Sequence, residues 1–254
     1  MAKDHKLNTL WLFGISVALL SAGWLMKSFP VFIFAGLAPL FVIMDRAQNE
    51  ERFWTLSELI LIALAIGFLA AHVFEMRFLV ISLAQAIVMA LAFLGYSFAQ
   101  QRLGGWTGKF IIILFWLAIE YVLLKLPWRT QFVYLGDALA LKTNWLKWTQ
   151  YTGYLGSSLW ILIVNLLLYH SLFREEKIKW VFLIITLLCI TGPIVFSYWR
   201  EGQFVSRTDM ISLYDHKISP LNENYIQLGE VIPGIAAGIS VLILLVAVTR
   251  NNDR

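Results

Sequence analysis

Seven apolar runs, at roughly 7–26, 54–74, 78–98, 108–125, 149–172, 178–198 and 230–249, occupy most of this sequence, and an eighth, shorter one lies at 30–44. A helix needs about 20 mostly apolar residues to cross a hydrocarbon core about 30 Å thick, where every backbone group must be bonded within the protein. The eight runs therefore predict an all-α, polytopic membrane protein: one integral domain over residues 1–254 with about eight spans. Composition agrees. Hydrophobic side chains make up 59% and charged ones 14%, whereas a soluble domain has about 45–50% and about 25%.

The run at 30–44 starts at Pro30 and contains Pro39, so it is either a short kinked span or a re-entrant hairpin. Cytoplasmic loops are enriched in Lys and Arg. With eight spans the short loops on the side shared by the termini hold seven such residues and those on the opposite side two, whereas a re-entrant 30–44 levels the totals. Eight spans with both termini cytoplasmic is the expected topology. Lys3 and Lys6 precede an apolar run that reaches Ser21-Ala22-Gly23, a pattern that signal peptides share, but a first span of this kind is expected to stay as an anchor.

Function classes narrow quickly. No basic cluster with interleaved aromatics suggests nucleic acid. The four histidines show no metal-ligand spacing, and Cys189 is alone in an apolar run, so no metal site, cofactor or catalytic thiol is expected. On this topology two longer segments are non-cytoplasmic, 126–148 and 199–229. The first mixes aromatics with Arg129, Asp137, Lys142 and Lys147, which suits a segment in the headgroup layer or dipping back between helices. The second has 31 residues, fewer than the about 50 of an independent domain.

Two polar residues fall inside spans. Glu120 is an ionisable group within a hydrophobic helix, where insertion costs about 2.5–3.5 kcal/mol, so it faces the bundle with a functional role or snorkels to pair with Lys125 or Arg129. Asn165 lies mid-helix, as interhelical glue or as a substrate contact. Upstream, Gly153, Gly156, Ser157 and Ser158 form a small-residue face for close helix packing.

The order Trp116, Glu120, Leu126-Pro127-Trp128 and Leu135-Gly136, followed by Gly153-x-x-Gly156-x-Ser158 and then Asn165, resembles the membrane domain of bacterial apolipoprotein N-acyltransferases. Ser28-Phe29-Pro30, Pro39-Leu40 and Gly229-Glu230 are similar to other parts of that family. The resemblance implies a multi-pass protein of the bacterial inner membrane. It also implies a periplasmic nitrilase-like domain before the last helix, whose Glu, Lys and Cys acylate lipoproteins from a phospholipid donor. Here 199–229 occupies that place, and it contains no cysteine. Glu201 and Lys217 alone supply no nucleophile. Two further family positions differ: an Arg after the helix Glu is Leu123, and an aromatic pair reads Phe74-Glu75-Met76-Arg77.

The expectation is therefore a membrane domain without catalysis of its own. It would bind phospholipid or lipoprotein acyl chains or a separate protein subunit through Glu120, Trp128, Arg129 and Asn165, with Gly153, Gly156 and Ser158 packing helices. The alternative is the membrane half of a split N-acyltransferase whose nitrilase-like half is another chain. Interruption by Pro30, Pro39 and Pro193 raises a third reading, a transporter or flippase with broken helices framing its substrate.

Overall fold

The computed structural model describes residues 8–49, 53–103, 108–174, 178–199, 205 and 231–249. Among them there is no strand. Helices α1 (Thr9–Leu25), α2 (Ile33–Gly36), α3 (Ala38–Asn49), α4 (Phe53–Ala71), α5 (Leu79–Leu103), α6 (Phe110–Lys125), α7 (Thr149–Thr152), α8 (Gly156–Leu172), α9 (Trp180–Trp199) and α10 (Val231–Thr249) follow in order. All eight predicted stretches are helical. Five helical runs, Pro30–Gln48, Phe53–Ala71, Met76–Leu103, Trp180–Trp199 and Val231–Thr249, are long and apolar enough to cross a membrane.

Three of the expected full-length stretches are shorter. Helices α1 and α8 have 17 residues and α6 has 16, or about 25 Å at 1.5 Å per residue. The stretch 149–172 is divided because Gly153 takes φ +81, a left-handed backbone that ends α7. The stretch 30–44 is longer than expected, reaching Gln48. Its charged end is bonded: the Tyr169 hydroxyl donates to Asp45 Oδ2, and Arg46 Nη1 donates to Thr9 Oγ1 at 2.7 Å.

The distribution of side chains suits lipid rather than water. Ser16, Ser82, Gln85, Ser97 and Asn165 are buried, while Val181, Ile184, Leu187 and Leu188 of α9 and Val241, Leu242 and Leu245 of α10 point outward. Apolar surface of this extent is foreign to a soluble monomer. Hydroxyls inside helices are bonded locally: Thr186, Thr191 and Ser240 each donate to the carbonyl four residues back at 2.7–2.8 Å. Among the described tryptophans the exposed ones, Trp11, Trp54, Trp128, Trp180 and Trp199, all lie at or just beyond helix ends, where amphipathic rings meet headgroups.

Two compact units share the chain. One comprises residues 1–90 and 160–192, the other 91–159 and 193–254, so α5, α8 and α9 each run through both. In the first, α1 packs against α2, α3 and α4. The approach is close. A Cβ on Gly23 would stand 2.8 Å from the Ile33 backbone N, and one on Gly36 would stand 2.7 Å from Leu20 Cδ2. Around these contacts Leu12, Ile33, Phe34, Leu37, Leu40 and Ile43 are almost fully buried.

The α4–α5 turn departs from easy geometry. Val73 and Phe74 adopt φ 56 and 55, a left-handed region that disfavours β-branched and bulky residues. The turn is held by Phe74 N donating to Leu69 O at 2.9 Å and by His72 stacked on Phe78 at 4.2 Å.

In the second unit α10 packs along α6. The segment 126–148 is exposed toward both ends and buried in its middle. Its stretch Phe132 to Leu139 is buried apart from the partly exposed Asp137, and it includes a short 3₁₀ helix, Leu135–Leu139.

Candidate functional site

Glu120 organises the second unit. It lies on α6 one turn after Trp116, so both side chains share a helix face, and Trp116 Nε1 donates to Glu120 Oε1 at 3.1 Å. The same oxygen accepts the backbone N–H of Leu135 at 2.8 Å. Glu120 is 2% exposed, and its Oε2 meets no hydrogen-bond partner among the described residues. It neither snorkels nor pairs with Lys125 or Arg129. The Lys125 ammonium stands 5.1 Å from the centre of the Tyr121 ring. The reason is positional: the carboxyl is on the face covered by the buried loop, and its bonds go to that loop.

The next residue of the loop continues the network. Gly136 N donates to Ser158 Oγ at 3.0 Å, and a Cβ on Gly136 would stand 2.0 Å from Ser157 Oγ. Glycine is required here by close approach to α8. The loop also carries its own turn: Tyr134 N donates to Asp137 Oδ2 at 3.0 Å, and Asp137 N returns to Tyr134 O at 2.8 Å. The Tyr154 hydroxyl donates to Asp137 Oδ1, and the Tyr134 and Tyr154 rings meet edge-on at 5.7 Å. Every bond serves a group that burial would otherwise leave unsolvated, a loss of about 1–3 kcal/mol each.

The expected small-residue face is used differently. Gly153 supplies the left-handed turn, and a Cβ on Gly156 would stand 2.2 Å from Thr152 Oγ1, so both serve the α7–α8 corner. Ser158 accepts the loop amide. No partner helix is needed to explain these three.

Trp128 and Arg129 follow α6 directly. Trp128 is 60% exposed, and Arg129 is half-buried with its carbonyl accepting from the Tyr134 hydroxyl at 3.3 Å. Of the residues expected to make contacts, Trp128 therefore presents the open aromatic surface. The segment 199–229 lies outside the described residues apart from Trp199, which ends α9, and Val205, whose N–H donates to Thr149 Oγ1 at 3.3 Å.

Asn165 belongs to the first unit, and it bonds as interhelical glue, one of the two roles its sequence position allows. Pro39 has no N–H to offer Ala35 O, and the helix is interrupted between α2 and α3. The Leu37 N–H, which in an unbroken helix would reach Ile33 O, turns to Ala35 O and to Asn165 Oδ1 at 2.8 Å, while Asn165 Nδ2 donates to Ile33 O at 3.0 Å. The carboxamide is thus inserted into the missing helical bond. Ala38 N at 3.0 Å and Ile161 O at 2.9 Å take the remaining positions. Two acceptor sites and two donors exhaust an amide, so Asn165 has nothing left for a ligand. It clamps the broken helix.

Sequence reasoning missed Asp137, Tyr154 and Trp160. Trp160 Nε1 donates to Cys189 O at 2.6 Å, and its ring meets Phe34 edge-on at 4.7 Å. Among the described residues no group of three His, Cys, Asp or Glu side chains is placed to hold a metal ion. Comparison of the chain with protein-family models, with curated proteins and with solved structures finds no match.

Proposed function

We propose that this chain is an eight-span protein of the bacterial inner membrane with both termini cytoplasmic. In this reading it is a relative of the membrane part of apolipoprotein N-acyltransferases that binds lipid or lipoprotein acyl chains, or a partner subunit, without catalysing acyl transfer itself. One observation carries the reading: five of the residues on which the resemblance rests, Trp116, Glu120, Leu135, Gly136 and Ser158, meet around one buried loop. Trp116 and Leu135 bond Glu120, and Gly136 bonds Ser158.

The chemistry of the network supports binding rather than reaction. An acyl-enzyme requires an activated nucleophile beside a base. Glu120 accepts the Leu135 amide and the Trp116 indole, and the Ser158 hydroxyl beside it is itself taken up by the Gly136 amide, so these groups hold the loop in place. That loop begins beside the exposed Trp128, an amphipathic ring suited to the headgroup boundary and the proposed contact point for acyl chains.

Depletion of the endogenous lipoprotein N-acyltransferase in a bacterial host tests the reading. The chain expressed alone is expected not to restore growth, and rescue would overturn its catalytic silence. Copurification of a separate nitrilase-like subunit would favour the split-enzyme reading.

A further inference from the structure

A second proline interrupts helical bonding in α9, which stays helical from Trp180 to Trp199. Pro193 stands inside this helix, so the carbonyl four residues back, that of Cys189, has no helical donor. That carbonyl receives the indole N–H of Trp160 at 2.6 Å. The residues around the proline are permissive. Gly192 meets nothing within 4 Å of a Cβ position, so no packing fixes it. Thr191 turns its hydroxyl back to Leu187 O at 2.8 Å, a bond that favours bending. Only 11% of α9 is buried, the lowest share of the five long helical runs, so tertiary contacts restrain it little.

We propose that Gly192–Pro193 is a hinge in α9 and that the Trp160 indole N–H is its latch. With the latch closed, the carbonyl orphaned by proline is satisfied in a medium that offers no water, and α9 is held straight up to the proline. With the latch open, Cys189 O loses its donor and the turn before Pro193 bends toward whatever group can solvate it. The Trp160 ring is fixed independently by its edge contact with Phe34 at 4.7 Å. The latch position is therefore set by α2, the helix that Asn165 clamps at Ile33. Trp160 is a positioning residue, and the inference holds whatever the chain binds.

Cys189 is the sole cysteine of the sequence and is partly exposed, so its thiol reports on this turn without engineering. The measurement is the rate of maleimide modification in native membranes for wild type, Trp160→Phe, Pro193→Ala and the double variant. Phenylalanine retains ring packing but removes the N–H. It is expected to raise the rate about three- to eighteen-fold, the range spanned by single interhelical hydrogen bonds in membranes. Alanine at 193 restores a backbone donor to Cys189 O, so Pro193→Ala and the double variant are expected to react at the wild-type rate. An unchanged rate in Trp160→Phe overturns the proposal. An equal increase from Trp160→Phe whether or not Pro193→Ala is present also overturns it, because Trp160 would then act through packing alone. Loss of folded Trp160→Phe protein that Pro193→Ala restores supports the latch, and loss that it does not restore overturns it.

Discussion

Replacing Asn165 with leucine keeps most of the side-chain volume and removes every polar contact that bridges the break before Pro39. Three interhelical bonds disappear, from Leu37 N, from Ala38 N and to Ile33 O. Single interhelical bonds in membranes average about 0.6 kcal/mol and reach about 1.7, so three give about 2–5 kcal/mol. The upper half of that range is expected, because the buried Ala38 N–H loses its acceptor and lipid offers no replacement. Reversible unfolding by SDS in mixed micelles measures the loss, and hydrogen exchange at the Leu37 and Ala38 amides localises it. A leucine variant within about 0.5 kcal/mol of wild type, the size of one weak membrane hydrogen bond, with both amides still protected, would refute the clamp.

Other perturbations follow from the same contacts. Gly136→Ala places a Cβ 2.0 Å from Ser157 Oγ and should unseat the loop, seen as new protease cleavage within 126–148. Gly23→Ala meets the Ile33 backbone at 2.8 Å, and because backbone yields less than a side-chain end, it should lower the unfolding free energy by about 1–3 kcal/mol, the range for overpacking. Glu120→Gln keeps an acceptor for Trp116 and Leu135 and should leave the loop protected, whereas Glu120→Leu should expose it to proteolysis. A protected loop in Glu120→Leu would show that these bonds do not hold it.

Much of the helical framework was legible because lipid imposes a simple rule: long apolar runs must be helices. The proline sites were legible too, since Pro39 and Pro193 each remove a helical bond wherever they stand. What holds the chain around them was not. Asn165 was recognisable as a buried amide, but nothing in its own neighbourhood names Ile33 and Leu37, 132 and 128 positions away. Trp160 reads as one more aromatic until Cys189 O is placed beside it.

Glu120 stood out as an ionisable group in a span, yet its sequence neighbours Lys125 and Arg129 suggested an ion pair. The structure gives it a loop amide because Leu135 folds back over the same helix face. The shape of 126–148 was half legible. Its mixture of aromatic and charged residues allowed a segment that dips inward, but the reciprocal turn of Tyr134 with Asp137 and the reach of Tyr154 depend on tertiary placement. Gly153 and Gly156 look like a packing face by spacing alone. Their geometry shows a corner instead, because a left-handed φ leaves no trace in an apolar pattern.

The central claim, binding without acyl transfer, is tested most directly by mass spectrometry of a diacylated lipopeptide with a free α-amine. The peptide is recovered from the purified protein in phospholipid nanodiscs. The peptide is expected to be retained above empty nanodiscs, less well by Trp128→Ala, with its mass unchanged. A gain of one acyl chain, or retention equal to empty nanodiscs with no partner subunit copurifying, would contradict that claim.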